Sequence, residues 1–232
     1  MYRADNYVQI QQLTSKVTKA IHTFRFLSEK VIVVANVAHK SLELYTLPEQ
    51  HGATGGTPMT MVARLHLPNT DCYVYSMTFC SPPTKNGMPR NNVAVFTKPF
   101  TNSPDNIIYC CMGVNNTQES GHVSLIVHSS TLLRYATSQD LKFIRWNEWG
   151  TMARCVDARQ SHAANFSGQR WRRWNEIWDF NQYRVKRLGM DFSAETETAR
   201  ISVITKGSTI KALDNHVSFC SGTLPYVRIV QK

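Results

Sequence analysis

No stretch of this 232-residue chain approaches the ~20 consecutive apolar residues that cross a bilayer as a helix. The longest apolar run, Val31-Ile32-Val33-Val34-Ala35-Asn36-Val37-Ala38, has the length and β-branched character of a buried strand. Met1-Tyr2-Arg3-Ala4-Asp5-Asn6-Tyr7 holds no apolar signal core, so neither secretion nor a membrane is expected. The chain reads as intracellular, in cytoplasm or nucleus. The six cysteines (Cys72, Cys80, Cys110, Cys111, Cys155 and Cys220) include no C-x-x-C pair, so the spacing of structural zinc sites is missing and reduced thiols are expected. The eight histidines show neither H-x-H nor H-E-x-x-H spacing. A G-x-S-x-G elbow is missing too. The glycine-rich segment from His51 to Pro58 lacks the Gly-Lys-Ser/Thr ending of a phosphate loop. No metal, no cofactor and no catalytic activity are expected.

Acidic residues are also scarce, 16 against 26 Lys and Arg, for a formal net charge of +10. That balance favours acidic partners, although a basic surface also serves solubility alone. The basic residues are scattered except at Arg170-Trp171-Arg172-Arg173-Trp174 and across Arg184–Arg187. With 42% hydrophobic and 18% charged residues, the chain has the means to bury a core and is not of the disordered class.

What is present is β pattern. Residues 1–19 are polar and weakly periodic and are expected to be a poorly ordered N-terminal segment; residues 20–232 are expected to form a single domain. Phe24 and Phe26 alternate with polar neighbours. Val31–Ala38 suits a strand buried on both faces, and Ser41–Leu47 alternates until Pro48 ends it. Further strands are expected at Met59–Leu67, Cys72–Cys80, Val93–Phe96, Ile107–Met112, Val123–His128, Glu176–Val185 and Arg200–Thr205. Ser129–Tyr135 reads as a helical turn capped by a serine or threonine. Residues 151–169, polar and poor in β-branched types, read as a long surface loop, and Met190–Ala199 as an acidic one. Short strands at near-regular spacing predict an all-β fold of short antiparallel meanders: a sandwich, barrel or propeller.

Several stretches, taken in order, resemble one family. They are Phe26-Leu27-Ser28-Glu29 with Val31–Ala35, Leu42-Glu43-Leu44-Tyr45 with Pro48, and His128-Ser129-Ser130-Thr131-Leu132-Leu133. Trp146-Asn147-Glu148-Trp149-Gly150, Asp179-Phe180-Asn181 through Val185, and Leu224-Pro225-Tyr226-Val227 complete the series. The chain resembles the fungal (basidiomycete) F-box proteins, in the WD-repeat-like propeller region that follows the F-box. The resemblance implies a partial or WD-repeat-like β-propeller whose surface selects proteins for ubiquitination by a ubiquitin ligase. Thr151 and Gln182 stand where the family commonly has proline. The F-box, a helical segment that docks the ligase adaptor, has no room before the first strand, so adaptor binding is not implied for this chain. A partial ring would leave strand edges open and invite self-association or a covering partner.

The candidate partner-binding residues are Trp146, Trp149, Arg170, Trp171, Arg172 and Arg173. Tryptophan and arginine are enriched in binding hot spots. Against this, Trp146 and Trp149 three residues apart also suit packing between blades, each indole N–H satisfied by a carbonyl, and that packing reading is favoured. Arg170–Trp174 likewise suits an edge strand with arginines stacked on tryptophan. The preferred function is a non-catalytic protein-interaction domain with a protein partner. One alternative is a basic nucleic-acid-binding β domain that uses Arg170, Arg172 and Arg173 for phosphate contacts. Another is a cysteine or serine hydrolase, using Ser124 or a thiol with a histidine. The adjacent Cys110 and Cys111 are expected on opposite faces of a strand.

Overall fold

The computed structural model describes residues 23–48, 59–68, 73–79, 105–115, 120–137, 140–157, 166–167, 169–173, 175–189, 193–205, 209–212, 217–220 and 223–231. The expected N-terminal segment 1–19, the loop His51–Pro58 and the strand Val93–Phe96 lie outside the described residues.

The chain opens with a meander of β1 (Phe24–Phe26), β2 (Val31–Asn36), β3 (Ser41–Thr46) and β4 (Thr60–His66), each antiparallel to the one before. The first two connections match the turns expected around Ser28–Lys30 and His39-Lys40. Lys40 takes a positive φ of 46° in the second of them. A second meander follows, of β5 (Tyr73–Phe79), β6 (Ile107–Asn115) and β7 (Ser120–His128).

The chain then leaves the second sheet. It forms helix α1 (Ser129–Tyr135), strand β8 (Lys142–Ile144), the helical turn α2 (Trp146–Trp149) and a 3₁₀ turn (Gly150–Met152). β8 pairs in parallel with β4 and becomes the fifth strand of the first sheet. The chain returns as β9 (Ala153–Asp157), antiparallel to β7, and completes a four-stranded second sheet.

The third sheet has the order β10 (Phe166–Ser167), β11 (Arg170–Arg173), β12 (Glu176–Asp179), β17 (Tyr226–Gln231), β14 (Ala199–Ile204), β13 (Ser193–Glu195). Helix α3 (Gln182–Leu188) follows β12, and β15 (Thr209–Ala212) pairs with β16 (Val217–Cys220) as a hairpin. The all-β class is therefore observed, almost wholly antiparallel. Among the described residues the sheets close into neither a barrel nor a ring.

Alternation along β6 builds two cores. Ile108, Cys110, Met112 and Val114 join Val33, Leu42, Leu44, Ala63 and Leu65 of the first sheet in one apolar cluster. Ile107 and Tyr109 join Trp171, Trp178, Phe180 and Tyr226 in the other. The second sheet is thus the middle layer, packed on both faces, which explains why its strands read as nearly continuous apolar runs. Cys110 belongs to the first core and Cys111 packs against the second, on opposite faces as expected.

Three sequence expectations are corrected. Residues 151–169 are not one long loop: Ala153–Val156 are buried in β9, and Phe166–Ser167 form β10. Arg154 hid the strand. Its guanidinium is buried, yet Nε donates to the Leu224 carbonyl at 2.8 Å and the group lies 4.9 Å from the Tyr226 ring centroid. The strand expected over Glu176–Val185 ends at Asp179 and gives way to α3. Asn181 caps that helix by accepting the Arg184 N–H at 3.2 Å. Finally, α1 begins after His128 without a serine or threonine cap; the Ser130 N–H is met by Asp105 Oδ1 at 3.1 Å.

Candidate interaction site

Trp146 and Trp149 lie on one helical turn, ring centroids 4.9 Å apart and nearly perpendicular. At the start of the turn Glu148 Oε1 accepts the Arg145 N–H at 3.0 Å, and the Glu148 N–H donates to the Arg145 carbonyl at 3.0 Å. Trp149 is fully buried in the core shared by the first two sheets, and its Nε1–H donates to the His66 carbonyl at the end of β4, 2.9 Å away. That is the packing arrangement with a carbonyl-satisfied indole. Trp146 is half-buried and lies across Gly150, where a Cβ would sit 2.6 Å from its Cδ2.

The second candidate group is split by strand alternation. Trp171 faces inward and is fully buried, edge-on to Trp178 with centroids 5.0 Å apart; Trp178 stacks on Tyr226 at 4.4 Å. Trp149 and Trp171 are therefore packing groups, and the expectation that they face a partner is corrected at those two positions. β11 also lies between β10 and β12 and is not an edge strand.

Arg170 and Arg172 point the other way and are exposed. Arg173 continues β11 in register with Glu176. On this outer face the controlling group is Asp179, 1% exposed. Its Oδ2 accepts Arg170 Nε at 2.9 Å and Arg184 Nη1 at 2.7 Å, while Oδ1 accepts the Asn181 N–H at 3.0 Å. Gln182 Nε2 adds bonds to the carbonyls of Phe180 (3.1 Å) and Pro225 (3.2 Å). Asp179-Phe180-Asn181 is thus a corner in which Phe180 enters the core, Asp179 collects two arginines and Asn181 starts a helix. The helix seats Val185 on Val203 and Val227 and leaves Tyr183, Lys186 and Arg187 exposed. The sequence marked Arg184–Arg187 as basic, but a strand reading placed these side chains on alternating faces. The Asn181 cap was the available signal for a helix.

Two other polar clusters are structural in character. Glu43, 3% exposed, accepts from Asn36 Nδ2, Tyr45 Oη and Arg64 Nε at 2.9–3.0 Å. Burial and the neighbouring Glu43 push the Tyr45 hydroxyl well above its usual pKa. At the mouth of the second sheet, Asp105 Oδ2 lies 3.1 Å from His128 Nδ1. Burial opposes ionisation of Asp105, but the bonds from His128 and Ser130 outweigh it and hold the carboxyl below its usual range.

The Ser124 hydroxyl bonds to Tyr109 Oη. It stands four residues from His128 on the same strand, about 13 Å along it. Ser124 and His128 are therefore not brought together as a nucleophile and base. Cys110, Cys111 and Cys155 form no disulfide among the described residues, and burial pushes the Cys111 thiol up, away from the reactive thiolate. Among the described residues, no group of three or more His, Cys, Asp or Glu side chains could hold a metal ion, and no helix is long and apolar enough to cross a membrane.

Fold and surface together define an all-β protein of face-packed antiparallel sheets with a basic outer corner. Comparison with known proteins finds no family model that matches the chain, and no curated protein or solved structure that matches it significantly.

Proposed function

We propose that the chain is a non-catalytic protein-interaction module, part of a propeller built of blade-like sheets. Its role would be that of the substrate-selecting region of an F-box ubiquitin-ligase subunit. The observation that carries the reading is the face-to-face packing of the antiparallel meander β1–β4, extended by the parallel strand β8, on the four-stranded antiparallel sheet β5-β6-β7-β9. Face-to-face stacking of such units is how propeller blades bury their sheets. The residues that resemble the family have roles consistent with that architecture: Trp149 joins two sheets, and Asp179-Phe180-Asn181 turns the corner of a third. The interaction-module reading is also supported by buried Glu43 and Asp179, both engaged in bonds that hold the fold.

Affinity recovery of the tagged chain from cells after crosslinking tests the reading. The same few proteins should be recovered in near-stoichiometric amount from independent preparations. A folded chain that recovers nothing would sink it. Stoichiometric labelling of one residue by a fluorophosphonate or iodoacetamide probe would instead support the hydrolase alternative.

A further inference from the structure

The outer face of the third sheet carries a row of isoleucines in cross-strand register: Ile177 on β12 pairs with Ile229 on β17, which pairs with Ile201 on β14. All three are only partly buried. The row is flanked on β11 by exposed Arg172, the register partner of Ile177, and lies beside α3; Leu188 of the helix, Ile201 and Ile229 each pack against the buried cluster of Val185, Val203 and Val227. On the helix, Tyr183 is 73% exposed, and Lys186 and Arg187 follow it at the three- and four-residue spacings that place them on its side. The only carboxylate on this face of the described strands and helix is Asp179, buried beneath Arg170 and Arg184.

The face therefore joins an apolar strip to a cationic rim with one exposed aromatic residue. We propose that it docks an acidic peptide segment of a partner protein, one that interleaves aspartate or glutamate with bulky apolar residues. The carboxylates meet Arg172, Lys186 and Arg187, and the apolar residues cover the isoleucine row. Two features favour a peptide over a nucleic acid. A phosphodiester backbone offers nothing to the isoleucines, and non-specific single-strand binding uses a series of stacking aromatics where the described residues of this face present a single exposed tyrosine. Asp179 also holds Arg170 and Arg184 in place, so part of the cationic surface is ordered before the partner arrives, which lowers the entropy lost on binding.

This inference rests on the interaction-module reading and is tested apart from it. Fluorescence anisotropy of the full chain is measured with a labelled synthetic peptide of aspartate and glutamate interspersed with isoleucine and phenylalanine. Controls are its asparagine/glutamine counterpart and a single-stranded oligonucleotide of equal negative charge. The acidic peptide should bind, more weakly as salt rises, and the amide peptide should not. Lys186→Glu with Arg187→Glu should weaken binding at least about tenfold, equivalent to ~1.4 kcal/mol. Ile229→Thr should weaken it while leaving the salt dependence in place, and thermal melts confirm that each variant is folded. Tighter binding of the oligonucleotide through the same residues, or no binding of the acidic peptide by folded protein, overturns the proposal. Cellular partners recovered equally by the wild type and the Lys186→Glu/Arg187→Glu variant would leave the module reading standing and remove this site.

Discussion

Asp179 is the residue on which the third sheet's corner depends. A buried carboxylate is tolerated when charge and hydrogen bonds meet it, and here two guanidiniums and a backbone N–H do so. Removing the charge with Asp179→Asn leaves Arg170 and Arg184 to repel each other. Because both arginines are partly exposed, 57% and 40%, the loss should fall below the usual range for a buried pair, at about 2 kcal/mol in urea unfolding. A loss near zero would mean that water replaces the clamp. Asp105 gives a residue-scale prediction in pH. Its folded pKa lies below the unfolded value of ~3.9, so its bonds to His128 and Ser130 contribute stability above that value. The contribution is lost as pH falls through the folded pKa. In Asp105→Asn the melting temperature should fall less steeply over that acid range than in the wild type; parallel acid limbs would refute the assignment.

At the scale of elements, the excursion from α1 to the 3₁₀ turn is the staple between the first and second sheets. β8 adds a strand to the first sheet, and Trp149 fills the shared core while bonding the end of β4. Trp149→Ala should cost about 3–5 kcal/mol, read from the denaturation midpoint at unchanged slope. Trp149→Phe should cost less, since it keeps most of the buried ring and loses the bond to His66. The strands β2, β3, β4, β6 and β7 were legible because apolar alternation or β-branched runs exceed any local competing signal. β9 was not, because Arg154 reads as surface until the Leu224 carbonyl and the Tyr226 ring, about 70 positions away, are brought to it. α3 was misread for a related reason: aromatic and β-branched residues in Trp178–Val185 imitate a strand, and the corner made by Asp179 and Asn181 overrides them. The candidate residues stand out in the sequence as a tryptophan–arginine concentration. Only strand register decides which of them face out: Arg170 and Arg172 do, Trp171 does not.

On the scale of the whole molecule, the second sheet is shared by two chemically different cores. Toward the first sheet it offers Cys110, Met112, Val123, Leu125 and Val127, against aliphatic residues; toward the third it offers Ile107, Tyr109 and Ile126, against Trp171, Trp178, Phe180 and Tyr226. Direct ties reinforce both contacts. The Thr23 hydroxyl bonds Met77 O (3.2 Å) and Phe79 N (3.0 Å) on β5, and Leu224 N reaches Ala153 O at 3.1 Å. Neither core can lose its side chains without exposing one face of the middle sheet, so the two should unfold together. Two single-tryptophan proteins test this, one retaining Trp149 and the other Trp171, with phenylalanine at the remaining tryptophan positions. Each residue sits in a different core, and their fluorescence should give, in each protein, the same urea midpoint as far-ultraviolet circular dichroism. A Trp171 transition at lower urea than the backbone signal of the same protein would show the third sheet unfolding as a separate unit. The middle sheet would then be held by its aliphatic face alone.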